Sequence, residues 1–251
     1  MYQVVPSKDL VPFGTIEPHR AVLPILPEGD HYRVLTAEEA RDLGYELLAS
    51  WLLRAEELWA RGRAAKAERF SVVEWLDWRS KLSNQPPTHK AGTVRVLVPM
   101  SGSKLAAAVL CDSKPVVDYT LFWTAMPPAE AHYLAAICNA PILTRLVEPM
   151  MTRGQWGARH FCKKVWELPI PPFDASEPLH RRLSELGQQC AERVAQWLAG
   201  AVSAASEEER QAKIAALRRN FGRTRNRVRE HIAAELQEID GLVGELLGGG
   251  A

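Results

Sequence analysis

The feature that most limits what this chain can fold into is a double change of hydrophobic period. Between residues 36 and 66 apolar side chains recur at helical spacing. Between 94 and 126 they come in short, nearly continuous runs, and beyond Pro127 the helical period returns. Helices that bracket a β-rich centre, without strands and helices alternating, predict an α+β fold and argue against a parallel βαβ sheet.

Local signals place the elements. The first 35 residues read as short extended pieces broken by prolines, clearest at VLPIL (22–26) and HYRVL (31–35). Thr36 with Glu39 and Ser71 with Glu74 have the spacing of capping boxes, in which hydroxyl and carboxylate each satisfy a backbone N–H of the first turn. They predict a long helix from Thr36 to about Lys66, striped by Leu43, Leu47, Trp51, Leu52, Leu58 and Trp59, and a shorter one over residues 72–82. VRVLVP (94–99) and KLAAAVL (104–110) predict a hairpin closed by a tight turn from Met100 to Ser103. PVVDYTLFWTAM (115–126) is a third strand candidate. Pro127 and Pro128 then open a helix, PILTRLVEPMM predicts another, and residues 152–174 read as irregular or extended. Residues 177–200 form an amphipathic helix on Leu183, Leu186, Cys190, Val194 and Leu198. Two more follow, from about Ser206 to Asn220 and from Arg223 to Leu247.

Length and composition allow one large domain or two small ones. With 251 residues, 47% hydrophobic and 24% charged, the chain is of ordinary globular type. A formal net charge of +1 neither supports nor excludes nucleic acid, because a DNA binder needs only a basic face. Cys111, Cys138, Cys162 and Cys190 lack zinc or redox spacing and read as reduced thiols. With no signal-peptide pattern and no apolar run of bilayer length, the expected location is cytoplasmic and no membrane partner is expected.

No glycine-rich phosphate loop, dinucleotide fingerprint, zinc-protease helix or nucleophile elbow is present. Asn84-Gln-Pro-Pro87 has the prolines of an amino-methyltransferase loop but lacks its aromatic residue, and reads as a plain loop. Arg153, Arg159, His160, Lys163 and Lys164 run without an acidic residue among them, interleaved with Gln155, Trp156 and Phe161. Arginine, lysine and glutamine there suit phosphate neutralisation and base-edge hydrogen bonds. Composition alone leaves DNA contact and a solvated, packed loop equally open. The denser run from Arg210 to Arg229 is read first as structural, paired with Glu207 to Glu209, Glu230, Glu235, Glu238 and Asp240 in a helical hairpin. Trp51, Trp59, Trp75 and Trp78 are read as packing anchors rather than base-stacking platforms.

Several strings then carry a resemblance. They are GTVRVLVPMSGSKLAAAVL with VDYTLFW, the helix EAHYLAAICNAP, RGQWGARHFCKKVWELPIPPFD, and the closing EIDGLVGELL. Together they resemble the carboxy-terminal half of large adenine-N6 DNA methyltransferases of restriction-modification and phage-defence systems, over nearly the whole chain. The resemblance implies a target-recognition α+β domain at residues 1–175 and a helical bracing region at 176–251. It implies double-stranded DNA as a partner, contacted by Arg153, Gln155, Arg159, Lys163 and Lys164 of the basic string and by Ser101, Ser103 and Lys104 of the hairpin turn. The family's S-adenosylmethionine site and proline-proline-aromatic loop lie upstream and have no counterpart here. The chain is therefore expected to hold no cofactor and no catalytic residue itself, and to work with a methyltransferase catalytic domain or subunit. The competing expectation is an interaction module that associates with a methyltransferase or restriction subunit without touching DNA; an enzyme with an unfamiliar site is a third.

Overall fold

The computed structural model describes residues 1–88, 90–112, 114–153, 159–160 and 164–248. Its strands are β1 (Tyr2–Val5), β2 (Leu10–Val11), β3 (Gly14–Thr15), β4 (His19–Ala21), β5 (Ile25–Glu28), β6 (His31–Val34), β7 (Val94–Pro99), β8 (Ala108–Leu110), β9 (Val116–Val117), β10 (Leu121–Met126), β11 (Thr152–Arg153) and β12 (Arg159–His160). Its helices are α1 (Ala37–Asp42), α2 (Glu46–Gly62), α3 (Val72–Leu76), α4 (Pro128–Asn139), α5 (Pro141–Val147), α6 (Pro178–Val202), α7 (Glu207–Arg219), α8 (Phe221–His231) and α9 (Ala233–Gly248). Helices hold 54% of the chain and strands 16%, the latter in several small sheets, so the fold is α+β.

Two compact units are interleaved along the chain: residues 1–4, 20–89 and 114–119 form one, and 5–19, 90–113 and 120–251 the other. The smaller unit has a three-stranded sheet in the order β4-β1-β9 and the hairpin β5–β6, with α1 to α3. Ile25, Tyr32, Leu82 and Val116 form one of its small cores. Both capping boxes form as the sequence predicts, Thr36 with Glu39 and Ser71 with Glu74. Gln85, in the proline loop, is a structural bracket. Its buried amide donates to the carbonyls of Lys81 and Val117, each at 2.8 Å, and accepts from the Val117 N–H at 2.7 Å.

The long helix expected from Thr36 is instead two. Gly44 adopts φ 80°, a left-handed conformation that ends α1, and α2 restarts at Glu46 in a new rotational phase. As a result Ala49 and Leu52 face inward, while Leu47, Trp51 and Leu58 are 89%, 57% and 60% exposed. Of the expected stripe, Leu47, Trp51 and Leu58 therefore lie on the outer face of α2, while Leu52 faces inward. Three of the four early tryptophans do pack: Trp59, Trp75 and Trp78 cluster with Phe70, with ring centroids 4.8–6.0 Å apart. Trp51 does not join them.

The larger unit is built on the antiparallel sheet β10-β7-β8, with Leu97 opposite both Ala108 and Trp123. The connection between β7 and β8 spans Met100 to Ala107, an extended loop in place of the tight turn expected. Helix α4 packs on the sheet and α6 crosses α4, and the predicted face of α6, Leu183, Leu186, Cys190, Val194 and Leu198, is buried in the main core. At the crossing, a β-carbon on Gly187 would lie 2.2 Å from the His132 carbonyl oxygen, so only glycine allows this approach. Cys138 and Cys190 are free, and burial pushes both thiols up to about 12. Among the described residues no helix is long and apolar enough to cross a membrane.

Burial also holds the His132 imidazole below its usual range, and its buried Nδ1 has no hydrogen-bond partner among the described residues. A histidine depressed by folding stabilises the fold fully above its unfolded value, near 6.5, and this contribution is lost as pH falls below it. The urea midpoint is expected to drop between pH 7.5 and pH 5.5, and His132→Leu to reduce that drop. An unchanged pH dependence in the variant would refute the role given to His132.

Candidate nucleic-acid interface

The loop from Met100 to Ala107 is clamped at its far end and free at its tip. Asn139, buried at the end of α4, accepts from the Ala107 N–H at 3.1 Å and donates to the Ala107 and Ala135 carbonyls, each at 2.8 Å. The Phe13 N–H also donates to the Ala107 carbonyl, at 2.7 Å. One residue pair earlier, the Leu105 N–H reaches Thr144 Oγ1 at 3.1 Å, and Arg229 Nη2 donates to the Leu105 carbonyl at 3.0 Å. Backbone bonds to side chains of three helices, that of Asn139 buried and those of Thr144 and Arg229 half-buried, therefore fix residues 105–107, while Ser101, Ser103 and Lys104 stay exposed.

The basic string is brought to this tip by strand pairing. β11 and β12 run antiparallel, with Thr152 opposite His160 and Arg153 opposite Arg159. An isolated antiparallel bridge then joins Ser101 to His160. Two segments about sixty residues apart in sequence thus share one backbone edge, which carries Ser101, Arg153, Arg159 and the exposed His160. Lys164 follows in a 3₁₀ turn and is held by Glu167, its Nζ 2.8 and 2.9 Å from the two carboxylate oxygens. That exposed pair contributes little to stability, and an anion could compete for the ammonium. Gln155 and Lys163 lie outside the described residues.

Asn139 was the residue sequence reasoning left without a role. Its signal was available: an amide at the end of a helix whose neighbours are almost all apolar needs buried partners.

The arginine run is largely structural, but its partners are not those expected. Asp9 is fully buried and accepts from Arg218 Nε at 3.0 Å and Nη2 at 3.1 Å, with His19 Nε2 2.8 Å from Oδ2, the oxygen that also meets Nη2. Burial holds His19 below its usual range against the pull of the Asp9 carboxylate. Arg225 donates to the carbonyls of Leu10 and Ser7, at 2.7 and 2.8 Å, and burial lowers its guanidinium to about 10. Arg210 pairs with Glu17. The carboxylates proposed as partners are largely taken elsewhere: Glu235 by Arg193, Glu238 by Arg182 and Asp240 by Arg145. Lys213 with Glu209 and Arg210 with Glu207 are the pairs that do form as read.

No protein-family model matches the chain, and no curated protein matches it.

Proposed function

We propose that the chain is a double-stranded DNA recognition module of adenine-N6 methyltransferase type. The observation that supports this reading best is the Ser101–His160 bridge, which sets an exposed Ser-Gly-Ser-Lys tip beside paired arginine strands. A rigidly anchored loop with small polar and basic residues at its tip suits entry into a groove, and flanking arginines suit phosphates and guanine edges. The S-adenosylmethionine site and the transfer chemistry would belong to a separate catalytic domain or subunit, which would extrude the adenine. The chain would act where those partners act, in the cytoplasm.

The test is binding of the full chain to duplex DNA across a salt series. Arg153→Ala and Arg159→Ala are each expected to weaken binding and to make the log–log salt slope shallower by about 0.9 if each loses one phosphate contact. Both variants should keep the parent's thermal midpoint. Parent protein that fails to bind at low salt would overturn the proposal, as would variants that bind like the parent.

A second reading is favoured by the outer face of α2. Val22, Leu47 and Trp51 line an open apolar hollow with Tyr45, and a contiguous exposed apolar surface of this kind marks a protein contact. In that reading the chain is an interaction module for a methyltransferase or restriction subunit. It predicts a salt-tolerant protein complex that Trp51→Glu disrupts, with no DNA binding by the chain alone.

A further inference from the structure

Eight basic residues lie between Arg210 and Arg229 with no carboxylate among them, and the fold divides them into two groups. Five are engaged within their own unit. Arg210, Lys213 and Arg218 meet carboxylates, and Arg225 and Arg229 meet backbone carbonyls. Arg219, Arg223 and Arg227 are exposed, and none of them has a hydrogen-bond or ion-pair partner among the described residues. Arg223 and Arg227 stand one turn apart on α8, about 6 Å along the helix axis. Arg219 lies four residues further back, at the end of α7.

Like charges at this spacing oppose helix formation by a few tenths of a kcal/mol. The one carboxylate on α8, Glu230, closes no ion pair with Arg227 although it is three residues away. Helix stability therefore does not account for these three side chains. Helix α8, which carries Arg223 and Arg227, is fastened beside the proposed interface, because Arg229 holds the carbonyl of Leu105, the residue after Lys104. Lys8 adds a further exposed cation, next to the Ser7 carbonyl that Arg225 holds.

We infer that Arg219, Arg223 and Arg227 form a second contact with DNA, binding the phosphate backbone irrespective of sequence, an inference that rests on the recognition reading above. Guanidinium groups suit this because their planar donor fork matches phosphate oxygens two at a time. An anionic membrane is the poorer occupant. The other exposed positions of α8 are Gly222, Asn226, Glu230 and His231, with Phe221 at its start, so there is no apolar face to insert into lipid.

The experiment uses the full chain, random-sequence 30-base-pair duplex DNA and fluorescence anisotropy over a potassium chloride series. The triple variant Arg219→Gln, Arg223→Gln, Arg227→Gln is expected to make the salt slope shallower by about 2.7, three phosphates at 0.9 each. Its denaturation midpoint should match the parent's, since no intramolecular bond is removed. A triple variant with the parent's slope would overturn this inference and leave the recognition reading standing. A parent that does not bind DNA at low salt would remove both. Vesicles of phosphatidylserine and phosphatidylcholine form the second arm. Vesicle binding lost in the triple variant while the DNA slope is unchanged would assign the face to lipid and overturn the inference.

Discussion

Asp9→Asn is expected to destabilise the larger unit by about 3–5 kcal/mol, the cost of stranding one charge of a buried pair. Asp9 is fully buried, accepts two hydrogen bonds from Arg218 and lies 2.8 Å from His19. Asparagine is nearly the same shape, yet it presents an amide where both guanidinium donors need an acceptor. The guanidinium, only 19% exposed, would then have neither water nor a counter-charge in full measure. Urea denaturation of the parent, Asp9→Asn, Asp9→Leu, Arg218→Met and the double variant Asp9→Leu with Arg218→Met tests this, the last three closing a cycle with the parent. The double variant should recover much of the loss, because two apolar side chains leave no orphaned charge. Single-variant losses below about 1 kcal/mol would mean the pair is effectively solvated.

Gly187→Ala is the second large effect. Alanine normally stabilises a helix interior by about 1 kcal/mol relative to glycine. At residue 187 the added carbon would sit 2.2 Å from the His132 carbonyl oxygen, and a backbone oxygen within α4 cannot swing aside. The helices would have to separate, so the expected net loss is about 3 kcal/mol, at the upper end of overpacking costs. Gly200, on the same helix, has nothing within 4 Å of its added carbon. Gly200→Ala should therefore raise the thermal midpoint while Gly187→Ala lowers it by roughly 6–12 °C, at about 2–4 °C per kcal/mol for a unit of this size. Equal effects at the two positions would contradict the close crossing of α4 and α6.

That contrast also marks what the sequence could reveal. Both glycines look alike in a helical pattern, and only the neighbouring helix separates them. Local and one-sided signals were legible: the two capping boxes, the proline start of α4 and the buried face of α6 each depend on residues within a few turns. The α1–α2 segment was misjudged because a single left-handed glycine resets the helical phase, and a periodic stripe does not reveal which side faces solvent. Leu47, Trp51 and Leu58 consequently face outward.

Within the candidate site, the basic character of residues 153–164 and the polar hairpin tip could be read directly. Their adjacency could not, since it rests on one bridge, Ser101 to His160, between distant segments. Charge pattern reads the arginine run as structural and pairs it with the nearest carboxylates in sequence; five of its eight members are engaged, but mostly with other partners. Its strongest partner, Asp9, lies 209 residues away, and Arg225 and Arg229 are held by backbone carbonyls that no composition can display.

The same long-range bonds set a timetable for folding in the cell. Asp9 leaves the ribosome 209 residues ahead of Arg218, and Leu10 leaves 215 residues ahead of Arg225. At translation speeds of 5–20 residues per second, that interval is roughly 10–40 s. Throughout it, the β2–β3 segment has an aspartate and unpaired carbonyls whose burial depends on helices not yet made. The larger unit can therefore close only once α7 and α8 have been made, with the β2–β3 strands among the last pieces to be locked.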